Sequence, residues 1–214
     1  MAALIRYNAA LQERNKLLKT SPTEDILLIY DAMLTASAEV IFKKRSETIE
    51  ALIPLVAEFY AALSEQREVT TLEYRSELQT ASLADLLLAN RQKDFVNEHT
   101  TSGIHRDDVI FNIGEHPLRK FGSQGQQKSF LVALKLAEYR LLARHAECKP
   151  ILLLDDLFDK LDMRRVAQLL KLTGGDDFGQ ILITDCNKHR LQRTLSDAGV
   201  EYRLFNINNG KATL

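Results

Sequence analysis

The chain has 214 residues, 45% of them hydrophobic and 27% charged, with a formal net charge of -1. That is a globular composition with enough apolar side chains for one large or two small cores, and it excludes a global basic field for nucleic acid. No apolar run approaches bilayer length, and the charge spread through residues 1–19 argues against a signal peptide or membrane anchor. Cys148 and Cys186 belong to no close-spaced metal pattern, which points to a reduced, cytoplasmic compartment.

In chain order, Leu4, Leu11, Leu17 and Leu18 fall near helical spacing, so the chain opens on a helix. Ser21, Pro22 and Glu24 then supply a capping serine, a proline at the first helical position and a glutamate three on from the cap. Behind them Ile26, Ile29, Met33, Leu34, Val40 and Ile41 make the apolar stripe of a second helix. A third helix is expected over residues 47–65, bent or broken near Pro54. Residues 69–75 are β-prone, and residues 83–96 return to helix. Residues 1–101 therefore read as an α-helical arm.

Composition changes near Thr100. From there strands at 109–113, 151–154 and 180–184 alternate with helices at 126–145, 163–172 and 189–197. A hairpin over 202–207, turning at Asn208, Asn209 and Gly210, closes the chain, because Asn-Gly tolerates positive φ. Such alternation predicts an α/β layer over residues 102–214, a mostly parallel sheet with flanking helices whose three strands share one sheet.

Two features carry chemistry. Ile151, Leu152, Leu153 and Leu154 form the continuous apolar run that a strand buried on both faces requires. They end in Asp155 and Asp156, where open α/β sheets place ligands. In P-loop ATPases an aspartate at this point holds Mg²⁺, and a second acid can orient the attacking water. Read alone, the pattern also fits a buried strand followed by a solvated acidic turn.

The second feature is Gly122, Ser123, Gln124, Gly125, Gln126 and Gln127, directly before a long helix whose buried side Leu131, Leu134, Leu136, Ala137, Leu141 and Leu142 mark. Small residues let a backbone approach a phosphate, and the helix N-terminus adds free N–H donors. Taken alone, this stretch is better read as a plain serine–glycine cap on a core helix.

Together the two are more specific. Ser123, Gln124, Gly125, Gln126 and Gln127 resemble an ABC signature in its RecF-family form. The run from Ile151 to Asp156 resembles that family's Walker B motif, and Leu161-Asp162 its D-loop. Gly103 to Asp108, then Phe111 to Gly114, are similar to the segment preceding the signature, and Gln12 to Lys19 to the opening of the RecF arm.

The resemblance implies an incomplete ABC-type ATPase head in which two heads sandwich ATP. Ser123, Gln124, Gly125 and Gln126 would then contact ATP held by a partner head, with Ser123 and Gly125 facing its γ-phosphate. Asp155 would help bind Mg²⁺, Asp156 would polarise the hydrolytic water, and Asp162 would lie at the dimer interface. It further implies a cytoplasmic DNA-repair protein that dimerises on DNA and, with recombination-mediator partners, helps load a recombinase at single-strand gaps or single-strand/duplex junctions. The phosphate-loop pattern of two glycines flanking four residues, then Lys and Ser or Thr, does not occur; Gly210-Lys211 is followed by Ala212, with Phe205 where the first glycine belongs. The chain is therefore expected to be a C-terminal portion or half of a split protein, inactive as an ATPase alone.

Other readings compete. His105, Arg106 and Asp107 with Asn112 match a kinase catalytic-loop spacing, but no Asp-Phe-Gly or Ala-Pro-Glu occurs and residues 109–113 alternate like a strand. His105 and Arg106 read better as a charged pair anchoring arm to head, and His189 as a surface residue beginning a helix. The arm could instead dock a recombination mediator or duplex DNA without nucleotide, using Arg6, Arg14, Lys16, Lys19, Lys43, Lys44 and Arg45.

Overall fold

The computed structural model describes residues 1–20, 23–65, 68–155, 161–175 and 177–214. The chain forms two compact units, Met1–Ala51 with Leu72–Phe111 and Leu52–Thr71 with Asn112–Leu214. The capping box at Ser21 and Pro22 lies outside the described residues.

In the first unit, α1 (Ala2–Leu18) and the opening part of α2 (Glu24–Ser64) pack with α3 (Leu83–Ala89) around Tyr7, Ala10, Leu34, Ala38, Ile41, Leu83, Leu87 and Ile104. The separate third helix is not found: α2 runs unbroken through Pro54. Nothing between Ile41 and Glu47 breaks helix, and a proline removes one backbone donor without ending a helix whose flanking turns are packed. The expected helix over 83–96 divides at Asn90 into α3 and α4 (Arg91–Asn97).

Arg14, one of the cations assigned to an arm docking surface, is fully buried. Its guanidinium bonds Asp31 at 2.6 Å, Asp94 at 2.7 Å and the Thr100 hydroxyl at 2.8 Å. A buried guanidinium must be paired to offset its desolvation, so Arg14 belongs to the interior of the unit. Lys16, Lys44 and Arg45 are engaged by Glu13, Glu47 and Asp107.

A three-stranded sheet runs in the order β1 (Thr70–Arg75), β2 (Asp108–Ile113), β3 (His116–Pro117). In the second unit α5 (Leu118–Phe121) leads into α6 (Gln124–Ala143), followed by β4 (Leu152–Leu154), α7 (Met163–Thr173), β5 (Ile181–Ile183) and α8 (Lys188–Asp197). Phe130, Ala133, Leu136, Ala137 and Tyr139 are the buried face of α6. Leu131 and Leu142, expected inside, are exposed, because the buried face is centred about one position earlier, on Phe130 and Ala133 where Leu131 and Leu134 were expected. Tyr139 stacks on Phe178 with ring centroids 4.8 Å apart.

The strand β4 pairs β5 in parallel, Leu152 with Ile181, Leu153 with Leu182 and Leu154 with Ile183. This pair stands apart from β2, contrary to the single sheet expected. Instead β2 pairs with β1 on one side and, at Asn112 and Ile113, with β3 on the other. Nor is β4 enclosed on both faces, since Leu152 is buried but Leu153 is 68% exposed. The closing hairpin pairs β6 (Asn206–Asn208) with β7 (Lys211–Thr213). Asn209 at φ 48° and Gly210 at φ 75° make the left-handed turn that Asn-Gly favours. No helix among the described residues is long and apolar enough to cross a membrane.

Candidate nucleotide-facing site

The N-terminus of α6 is built by a reciprocal cap. The Ser123 hydroxyl accepts the Gln126 N–H at 3.2 Å, and the Gln126 side-chain oxygen accepts the Ser123 N–H at 2.6 Å. Ser-x-x-Gln before an apolar helix is the local reason that the helix starts here. Ser123 and Gln124 are exposed, and Gly125 and Gln126 are half-buried. The cap uses a lone pair of the Ser123 hydroxyl and leaves its proton able to donate. Gln124 and Gly125, in the first turn, have N–H groups with no intrahelical acceptor.

Gln126 is held from behind. Its amide nitrogen donates to Glu68 at 2.6 Å, and the other Glu68 oxygen accepts the Tyr60 hydroxyl. Burial, and then the bond to Glu68, push the Tyr60 hydroxyl above its ordinary pKa, so it stays a donor.

Asp162 and Gly125 meet through Arg165. Asp162 caps α7 by accepting the Arg165 N–H at 3.0 Å and pairs with its guanidinium at 3.0 Å. A Cβ on Gly125 would stand 2.7 Å from Arg165 Nη1, so the absence of a side chain makes room for that guanidinium. Leu63, Ser64, Glu65, Glu68, Asp162, Arg164 and Arg165 line a cavity of about 190 Å³ alongside.

At the end of β4, Asp155 is exposed and accepts a hydrogen bond from the Thr184 hydroxyl. Thr184 continues β5 where Asp155 continues β4, one step past the in-register pair Leu154 and Ile183. Among the described residues no three His, Cys, Asp or Glu side chains cluster as a metal-binding group. A single carboxylate beside a hydroxyl nevertheless fits Mg²⁺, which keeps several waters and phosphate oxygens as ligands. Asp156 lies outside the described residues.

His105 is not part of a charged anchor. Its Nε2 bonds the Thr100 carbonyl at 3.1 Å, and Nδ1 pairs with the Tyr7 hydroxyl at 2.9 Å. A carbonyl only accepts, so Nε2 carries the proton and Nδ1 accepts from Tyr7. Desolvation lowers the His105 pKa and favours this neutral ring. Asp107 accepts from Arg45 and Tyr74, and Asp108–Ile113 is a strand, so the kinase-like spacing forms no catalytic loop. His189 lies in the first turn of α8 and is exposed.

Sequence reasoning missed Glu68, Tyr60, Arg165 and Thr184. Thr184 was discoverable, because it follows one apolar run as Asp155 follows another. Glu68 carries no local signal, since its partner is 58 positions away.

No family model matches the chain. The DNA replication and repair protein RecF of Bacteroides thetaiotaomicron is 43% identical over 212 residues, covering 98% of this chain and 58% of that protein. The RecF protein of Porphyromonas gingivalis is 40% identical over 213 residues, covering 99% of this chain and 58% of that protein. The chain thus spans a little over half the length of the curated relatives it matches. Among solved structures, the recombination mediator protein RecF-ATPrS in the RecFOR pathway matches with a TM-score of 0.77 at 27% identity, over 98% of this chain and 57% of that one. RecF-ATP in the same pathway matches with a TM-score of 0.73 at 29% identity, over 87% and 52%. Similar in sequence along nearly its whole length and in fold over the same residues, this chain belongs to the RecF family.

Proposed function

We propose that this chain supplies the signature side of an ATP sandwich in a RecF-type DNA-repair protein, residues 1–101 being the arm and 102–214 part of the head. The observation that carries the reading is the exposed tip of α6, where the Ser123 hydroxyl and the N–H groups of Gln124 and Gly125 face outward from a rigid cap. Such a tip suits the terminal phosphate of ATP held by a second head, with Gln126 fixing its shape and Asp162 at the interface between heads.

Asp155 would hold Mg²⁺, with Thr184 orienting its carboxylate. The ion, when bound, would neutralise charge developing on the phosphates. Asp156 would orient the hydrolytic water; it is one methylene shorter than glutamate, which favours slow, switch-like turnover. In a complete head, single-turnover hydrolysis should fall with Asp156→Asn and change with Asp156→Glu, and unchanged rates in both remove Asp156 from the chemistry. The phosphate-binding loop would come from sequence without a counterpart here, so this chain alone should not hydrolyse ATP. The complete protein would act in the cytoplasm on DNA at single-strand gaps or single-strand/duplex junctions, with a second head and recombination-mediator proteins, in loading a recombinase.

Mixing the chain with the full-length Bacteroides thetaiotaomicron relative tests the signature role. ATP should promote a mixed complex on size-exclusion chromatography, and Ser123→Arg should prevent it. Equal mixing with and without ATP, or with Ser123→Arg, overturns the reading.

A further inference from the structure

Arg165, in the first turn of α7, lays its guanidinium against the first turn of α6. From the point where a Gly125 side chain would start, Nη1 lies 2.7 Å away, Cζ 3.6 Å and Nη2 3.9 Å. Both terminal nitrogens are therefore within about 5.5 Å of the Gly125 Cα, one carbon–carbon bond further on. Any side chain at position 125 would have to displace them. Glycine thus admits a cation here as well as a close backbone approach to a phosphate.

That guanidinium is held at one corner only. Nη1 donates to Asp162, and among the described residues Nη2 and Nε have no acceptor. The Arg165 side chain is 24% exposed, so these donors have restricted access to water. A guanidinium carries five N–H donors in a planar fork, and one carboxylate oxygen on one nitrogen leaves most of them open. Glu68 lines the same cavity as Arg165, but its two oxygens accept from Tyr60 and Gln126. Arg164, also on that wall, adds a like charge.

We propose, resting on the reading of the α6 tip given above, that Arg165 is its cationic member and donates from Nη2 to the terminal phosphate of the ATP held by the second head. Ser123 and the N–H groups of Gln124 and Gly125 supply neutral donors and partial charge, whereas a guanidinium supplies a full charge and a fork matched to phosphate oxygens. Asp162 sets the direction of that fork: one of its oxygens accepts the Arg165 backbone N–H and the other accepts Nη1. With the phosphate in place, Arg165 lies between two anions, and the residue after the paired acids and the residue of the tip act on one group.

Fluorescence anisotropy of the labelled chain, titrated with ATP at a fixed concentration of the full-length Bacteroides thetaiotaomicron relative, tests this. It reads the ATP concentration that gives half of the mixed complex. Arg165→Gln, which keeps a donor for Asp162 but no charge, should raise that concentration at least about tenfold. Arg165→Lys keeps the charge without the fork and should stay within about threefold of the parent. Added KCl should raise the half-maximal concentration less steeply in Arg165→Gln than in the parent, because one ionic contact is gone; a residue that only supports the fold would leave that slope unchanged. Urea midpoints of both variants should stay close to the parent, since the pair with Asp162 is partly exposed. If the parent chain shows no ATP-dependent mixing, the signature role falls and the role of Arg165 with it. If the parent mixes while Arg165→Gln keeps its half-maximal concentration and salt slope, or Arg165→Lys is as impaired as Arg165→Gln, the role of Arg165 alone is overturned.

Discussion

Gln126 donates its side-chain amide to the carboxylate of Glu68 at 2.6 Å while its carbonyl oxygen closes the cap on Ser123. One side chain thereby ties the shape of the α6 tip to a residue just ahead of β1. Because Glu68 also accepts from Tyr60, the tip is braced by a group rooted in α2.

Removing that brace should loosen the tip. Glu68→Ala leaves the Tyr60 hydroxyl and one Gln126 donor without their acceptor, a loss of about 1–3 kcal/mol of stability. Urea unfolding followed by circular dichroism measures it. ATP-promoted mixing with the full-length relative should weaken in the same variant, and undiminished mixing would detach Glu68 from the nucleotide-facing role proposed for the tip.

At Gly125 the expected effects on stability and on nucleotide response diverge. Gly125→Ala forces Arg165 Nη1 away from a position 2.7 Å from the new Cβ, at the expense of its bond to Asp162. That ion pair is partly exposed, so stability should change by less than about 1 kcal/mol. ATP-promoted mixing should nevertheless be lost, because the added methyl group and the displaced guanidinium both crowd the tip. Loss of stability with full mixing would reverse the interpretation.

The buried arginine of the arm should tolerate no truncation. Arg14→Met strands Asp94, whose side chain is fully enclosed, and Asp31 beside it, at a cost of about 3–5 kcal/mol. A midpoint of chemical unfolding within error of the parent would show that these carboxylates find other partners. Lys19→Met, at an exposed position of the same segment, should be nearly silent.

His105 makes the first unit sensitive to mild acid. Its folded pKa lies below the ordinary 6.5, so the unfolded chain takes up the proton first. Stability therefore falls as pH drops from about 6.5 toward the folded value, and levels off below it. His105→Gln should flatten that slope between pH 7.5 and 5.5 in urea titrations. An unchanged slope would assign the acid sensitivity to other groups.

Much of the site was legible in sequence, for reasons that are local. The cap of α6 needs only Ser123 and Gln126 at the right spacing, and the closing turn needs only Asn209 and Gly210. The pairing of Asp155 with Thr184 follows once two apolar runs are taken as neighbouring parallel strands. These are interactions between residues a few positions apart, or between elements whose register is set by alignment.

What the sequence by itself determined is the order of helices and strands, the turn residues and the motif that marks the family. Only tertiary structure decided that Arg14 points inward, that β2 joins the sheet of β1 and β3 and not that of β4 and β5, that α2 continues through Pro54, and that Glu68 braces Gln126. Each of those depends on which surfaces meet across long sequence separations. Spacing within one helix or strand carries periodicity, but the choice between water and a distant carboxylate is made by the packing of the whole unit.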